Sequence, residues 1–232
     1  MKVLLQWKID LKQVMRDPIM RLLVVAPLLI IILFKCLLVF AVPYLVKLTG
    51  FDLSPYYSYL FTFIMLLIPG MLGMVTGFAM IDDKDGLIAE LLSVTPLGRY
   101  GYIFNRLSLG AILSILYCLM GYFILNLTSM PFISLILLLF MMAVYSAISG
   151  LLLFLLADDK VKGLTLAKGL NTLSLFAFSD ILALPWLTKL SWFFPTYWTS
   201  RIVRFPDNLP EILIFILCHL VWLGVLIKRG KY

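Results

Sequence analysis

The sequence predicts an all-α integral membrane protein with six transmembrane helices. An interfacial amphipathic helix precedes the first span, and a short charged helix joins the second to the third. Three observations lead there. Hydrophobic residues fill 63% of the 232 positions, charged residues only 13%, and the mean hydropathy is +1.07. A soluble domain needs about 25% charged residues to cover its surface. The apolar runs approach or exceed the ~20 residues that cross ~30 Å of hydrocarbon as a helix, whereas barrel strands alternate over about ten. Finally, the one substantial charged helical stretch, Asp82–Tyr102, lies between two such runs.

At the N-terminus, Leu4, Trp7, Leu11, Val14, Met15 and Pro18 recur at spacings of three and four, with Gln6, Asp10, Gln13 and Asp17 opposite them. Residues 1–18 therefore read as an amphipathic helix along the inner interface, with Trp7 at headgroup depth and Lys8 and Lys12 near phosphates. Pro18 starts the turn into the membrane, because the residue before a proline resists helix continuation. No signal peptide is expected, since the first 17 residues are too polar for its apolar region.

The spans fall at roughly residues 21–43, 58–81, 102–125, 131–156, 168–187 and 210–227. Lys35 interrupts the first and would snorkel outward, shortening it. In the second, Pro69 removes a backbone donor and kinks the helix. Gly73 and Gly77, four residues apart, let a neighbouring helix approach closely, and Ala143/Ala147 and Ser146/Gly150 repeat that pattern in the fourth. The chain reads as one transmembrane domain over 1–232. Its parts are the interfacial helix 1–18, spans one and two within 21–81, the charged helix within 82–100, spans three to six within 101–227, and the tail 228–232.

Fourteen of the 19 basic residues fall on one side if both termini are cytoplasmic. The positive-inside bias thus places the chain as a multi-pass protein of the cell's inner or cytoplasmic membrane. The net charge of +7 reads as orientation and attraction to anionic lipid, not as nucleic-acid binding.

In the charged stretch, Asp82, Asp83 and Asp85 sit where a helix N-terminus favours negative charge, with Asp85 as the expected N-cap. Leu87, Ile88, Leu91 and Leu92 share one face, and Glu90 and Ser93 lie off it. Pro96 ends the helix near Thr95. Such a helix could lie on lipid headgroups, but an anionic leaflet would repel its acidic start. A protein partner covering the leucine face and meeting the carboxylates fits better.

Catalytic and metal chemistry find no support. His219 is the only histidine, and Cys36, Cys118 and Cys218 fall in different spans without metal-ligand spacing. No nucleophile–base set or paired intramembrane acids are visible. Asp180, beside Phe176 in the fifth span, either lines a path for cationic amphiphiles or binds Lys189 or a neighbouring helix. Met74, with the other methionines, suits a pliable cargo pocket or plain gap-filling. Gly73 and Gly77 would border the same path. Tyr56, Tyr57 and Tyr59 form one aromatic belt at the outer interface. Trp186, Trp192, Tyr197 and Trp198 form its counterpart, in which Pro195, Tyr197, Trp198 and Arg201 are candidates for an outer gate.

Asp83-Lys84-Asp85-Gly86, Glu90-Leu91-Leu92, Thr95-Pro96-Leu97 and Tyr102 with Arg106 together resemble the cytoplasmic loop of ABC-2-type transporter permeases. Arg16-Asp17-Pro18 and Pro195-Thr196-Tyr197-Trp198 are similar to the same family. Within it, the chain looks closest to small drug-export permeases, including the fluoroquinolone-export type. The resemblance implies a six-span permease subunit of an exporter whose loop helix, the coupling helix, docks on a separate ATP-binding subunit. Its contacts would be Asp82, Asp83, Asp85, Gly86, Leu87, Ile88, Glu90, Leu91, Leu92, Thr95, Pro96 and Leu97. A second permease subunit, identical or different, would complete the pathway for a hydrophobic or amphipathic drug-like molecule or lipid. ATP and Mg would bind the partner, since this chain has no phosphate-cradling G-x-x-x-x-G-K-[ST] loop. The rival readings are a non-transporting membrane scaffold or immunity-type protein and an intramembrane lipid-modifying enzyme.

Overall fold

The computed structural model describes residues 2–86 and 98–229. Helix α1 (Lys2–Arg16) turns at Asp17 into α2 (Pro18–Cys36). The Asp17 carboxylate accepts from the amides of Ile19 at 2.8 Å and Met20 at 3.1 Å. Pro18 opens the helix where its missing N–H costs nothing. Through a π-helical turn at Leu37–Ala41, α2 runs on into α3 (Val42–Thr49), closed by Gly50 in the left-handed region at φ +67°. The first span is therefore longer than 21–43. Lys35 does not shorten it, and the apolar pattern continues through Tyr44, Leu45, Val46 and Leu48.

A 3₁₀ turn at Ser54–Tyr56 leads into α4 (Tyr57–Asp85), followed by α5 (Gly98–Leu125) and α6 (Phe132–Leu156). Next come α7 (Lys160–Thr172) with a 3₁₀ continuation at Leu173–Phe178, α8 (Pro185–Ser191), α9 (Pro195–Arg204) and α10 (Leu209–Arg229). Among the described residues, five helical segments are long and apolar enough to cross a membrane: 18–49, 54–85, 100–125, 132–156 and 209–229.

The segment expected as a span at 168–187 is not one such helix. It begins earlier, because Asp159 caps α7 by accepting from the Lys162 amide at 2.8 Å. It also ends earlier: after Phe178 the chain turns, with Ala183 at φ +50°. The apolar run that marked the span straddles the end of one element and the following turns. Even so, residues 160–178 lie along nearly the whole of α4, antiparallel to it. Lys160 meets Asp82 at 2.8 Å, a Cβ at Gly163 would meet the Phe78 ring, and one at Gly70 would meet Asn171. The Phe178 ring packs against Phe63 and Tyr59.

Helix α4 is the centre of the bundle, buried against α2, α5, α6, α7 and α9. It is joined to α6 and α5 through glycines. A Cβ at Gly73 would collide with the Ser146 carbonyl and lie 2.8 Å from the Ser149 Cβ. One at Gly150 would sit 2.6 Å from the Thr76 Oγ1, and one at Gly110 2.7 Å from the Thr76 Cγ2. The small-residue patterns thus work as close helix contacts. The outward faces of α2, α5 and α10 carry exposed Leu29, Phe123 and Leu217, the surface a bundle in hydrocarbon presents.

Helix α9 is short but almost wholly buried between α4, α6, α10 and the 3₁₀ segment. Thr196 donates to the Leu173 carbonyl at 3.0 Å and the Trp198 indole to the Trp192 carbonyl at 2.8 Å. Tyr197 and Trp198 are therefore packed inside the bundle rather than forming part of an aromatic belt. Pro195, at the start of α9, turns the chain back among the longer helices and takes both rings with it.

Candidate functional site

Charged side chains gather at the two ends of the bundle, one end carrying α1 and the other the end of α9. At the α1 end, two neighbouring acids close α4. Carboxylates at a helix C-terminus oppose the helix dipole, so cations must offset them. Arg106 of α5 grips Asp83 with both arms, Nε to Oδ2 and Nη2 to Oδ1, each at 2.6 Å. Its remaining Nη1 donates to Asp10 of α1, and Tyr102 donates to Asp83 at 2.8 Å. All four side chains are essentially buried, Asp83 completely. Lys160 of α7 does the equivalent for Asp82, which it meets at 2.8 Å while meeting Asp17 at 2.6 Å. Three helices, α1, α5 and α7, are thereby tied to the root of the segment that follows α4.

Electrostatics at this end follow from burial. Withdrawal from water pushes the Asp10 carboxyl up from its ordinary range, Arg106 opposing and Asp83 assisting. Burial also acts to raise Asp17, but hydrogen bonds from Lys160 and the Met20 and Ile19 amides outweigh it and hold that carboxyl low. Helix α1 docks through residues of both stripes, with Val14 buried in the core. Asp10 and Gln13 face Arg106, and the Trp7 indole donates to Ser108 at 2.9 Å. Leu11 and Met15 turn outward.

This geometry revises the sequence expectations. Asp82 and Asp83 end α4 instead of starting the next helix. Asp85 is itself helical, so it is not an N-cap, and Gly86 closes α4 with its N–H on the Asp82 carbonyl at 2.9 Å. Asp83, with no exposed surface, is spent on Arg106 and Tyr102, whereas Asp85 and Gly86 are exposed. Leu87, Ile88, Glu90, Leu91, Leu92, Thr95, Pro96 and Leu97 lie outside the described residues, as do the side chains of Leu4, Gln6 and Lys8.

At the opposite end Asp180 pairs with Arg204 and, at 3.5 Å, with Arg201. Arg204 also donates to the Tyr59 hydroxyl at 2.7 Å and lies 4.6 Å over the Tyr59 ring. Arg201 grips Glu211 at the start of α10. Tyr59, Asp180, Arg201 and Arg204 line an open cleft of about 570 Å³ with Lys189 and Trp192. Asp180 thus binds α9 and not Lys189, tying the turn after the 3₁₀ segment to α4 and α9. Asp180→Asn should lower stability by about 1–2 kcal/mol, as partial exposure screens the pair. Lys189→Gln should leave the midpoint of thermal unfolding in detergent unchanged. Equal effects would refute the assignment of the partner.

The residues expected to line a path do not converge. Phe176 stacks on Phe194 at 4.3 Å, Met74 is buried in α4, and Gly73 and Gly77 are occupied by α6. Of the expected gate, Pro195, Tyr197 and Trp198 are inside the bundle and only Arg201 reaches the cleft. A different surface is polar at bundle depth. Thr165, Lys168, Gly169 and Thr172 of α7 share one face at helical spacing, and all are exposed.

Sequence reasoning missed the Arg106 cluster, although the signal was present. Arg106 lies inside an apolar run, and a charge there demands a named partner. Asp83 and Asp10 were available for the role.

The profile of a family described as "Fluoroquinolones export permease protein Rv2686c-like" matches residues 10–227. The fluoroquinolones export permease proteins MT2760 and Rv2686c, from two strains of Mycobacterium tuberculosis, are each 26% identical to the chain over 199 residues. The alignment covers 83% of this chain and 77% of theirs. No solved structure matches the chain.

Proposed function

The chain belongs to the Rv2686c-like family of export permeases, and from that premise we propose that it is the membrane-spanning subunit of an ATP-binding-cassette exporter. The end carrying α1 is cytoplasmic, together with both termini, in the cell's cytoplasmic membrane. Residues 160–178 make the remaining crossing, giving six. At about 1.5 Å per residue for the α part and 2.0 Å for the 3₁₀ part, the segment reaches roughly 31 Å, the thickness of the hydrocarbon core.

One observation carries the reading: the root of the segment after α4 is fastened through Asp82 and Asp83 to α1, α5 and α7. A separate ATPase subunit, with its ATP and Mg, docks on that segment. Asp85, Gly86, Leu87, Ile88, Glu90, Leu91, Leu92, Thr95, Pro96 and Leu97 supply the contact surface. Displacing the segment pulls three helices together, so nucleotide-driven closure biases the bundle between its two states by differential affinity.

The polar face of α7 supports a second permease subunit. Lys168 cannot face lipid at that depth and belongs against water or protein, so this face borders a pathway between two subunits. Fluoroquinolone export in the relatives' names points to an amphipathic, drug-like cargo, with lipid as the alternative.

Glu90→Lys combined with Leu91→Asp should reduce recovery of the ATPase subunit on affinity purification at least tenfold while membrane insertion is unchanged. Full recovery and transport in the double variant would overturn the docking of the ATPase on this segment, and a parent chain that recovers no ATPase and transports nothing would favour a non-transporting scaffold.

A further inference from the structure

The elbow between α1 and α2 encloses an open cleft of about 450 Å³ lined by Lys12, Gln13, Arg16, Asp17 and Pro18. Its charges are unequal in a telling way. The one acid, Asp17, is already engaged by Lys160 and by the first amides of α2. Lys12 and Arg16, one helical turn apart and both exposed, have no carboxylate partner among the described residues. Arg21, exposed in the first turns of α2, likewise has none.

Beside these cations lie exposed apolar side chains: Leu11 and Met15 of α1, and Ile19 and Leu22 of α2. A polar ligand alone would need only the first group and a buried helix contact only the second. A molecule with an anionic head and hydrocarbon tails uses both, and basic pockets between helices near the membrane surface suit such headgroups.

We propose that this elbow is a binding site for one anionic phospholipid, its phosphate held by Lys12 and Arg16 and its chains lying along Ile19 and Leu22. The cleft shares a wall with the buried cluster, since Gln13 both lines it and accepts from Arg106 at 3.5 Å. Asp17 similarly leads to Lys160 and Asp82. An occupied elbow therefore braces the same helices that hold the end of α4, making lipid composition an input to the permease. The site is independent of whether an ATPase docks on the neighbouring segment.

The test uses the full chain in detergent, measuring by native mass spectrometry the retention of phosphatidylglycerol against phosphatidylcholine. Each basic group near an anionic surface contributes roughly fivefold. Lys12→Gln with Arg16→Gln should therefore cut the preference for phosphatidylglycerol by about 25-fold, while Lys47→Gln with Lys189→Gln leaves it intact. Both pairs are exposed, and an unchanged unfolding midpoint confirms that each variant is folded. An undiminished preference in the elbow variant would overturn the site. So would displacement of the lipid by millimolar inorganic phosphate, which would mark a plain anion site instead.

Discussion

Arg106→Met is expected to unfold the α1 end of the bundle, at a cost of about 3–5 kcal/mol. Among the described residues, Arg106 is the one cation between Asp10 and Asp83, which are both buried. Its loss leaves two carboxylates facing each other without compensation. Arg106→Lys keeps the charge but not the planar fork that bonds both Asp83 oxygens at once, so it should fall between the two. Replacing all three residues together, Asp10→Leu, Asp83→Leu and Arg106→Met, should recover much of the loss, because a buried ion pair contributes little beyond an apolar replacement. The half-life of the detergent-purified protein at fixed temperature reads all three variants. A single Arg106→Met variant as durable as the parent would show that the cluster holds nothing together.

The second large effect is expected at Gly73. A methyl there meets the Ser146 carbonyl and the Gly150 amide nitrogen, which lies 3.1 Å away. Both are backbone atoms and cannot rotate aside, so α4 and α6 must separate at the middle of the core. Overpacking costs typically 1–3 kcal/mol and occasionally more, and Gly73→Ala should lie at the top of that range. Gly169 provides the contrast, since a Cβ there meets nothing within 4 Å. Gly169→Ala should be neutral or stabilise by up to about 1 kcal/mol through helix propensity. The difference between the two alanines in the unfolding midpoint measures the contact; equal midpoints would mean the helices are not in close contact at Gly73.

Much of this architecture was legible because a membrane imposes long apolar runs. The second, third, fourth and last spans fall within a few residues of their expected positions. The family was legible too, through short motifs in order: Asp83-Lys84-Asp85-Gly86, Thr95-Pro96-Leu97 and Pro195-Thr196-Tyr197-Trp198. Where the reading failed, hydropathy was the wrong signal. Lys160, Lys162 and Thr165 make the first turns of α7 too polar for a window average, which shifts the expected span to 168–187, over the end of α7 and the residues after it. Local sequence favours acids at a helix start, which points Asp82 and Asp83 to the helix after α4 instead of to its end. Only a distant partner, Arg106 or Lys160, makes them stable at a helix end. For Asp180 the sequence leaves a path-lining role open beside binding to Lys189 or a neighbouring helix, and its cation Arg204 lies 24 positions away, beyond any local rule.

The first span has a consequence for the lipid around it. Its 32 residues extend roughly 48 Å at about 1.5 Å each, well beyond a ~30 Å hydrocarbon slab. A rod that long must tilt steeply or protrude. Most of the helices pack on α4, but little of this rod is buried and its far end, α3, packs among the described residues mainly on the preceding π-helical turn. The protein's adjustment to thin or thick bilayers is thus concentrated in this helix, which can change its lean while the glycine-knit centre stays still.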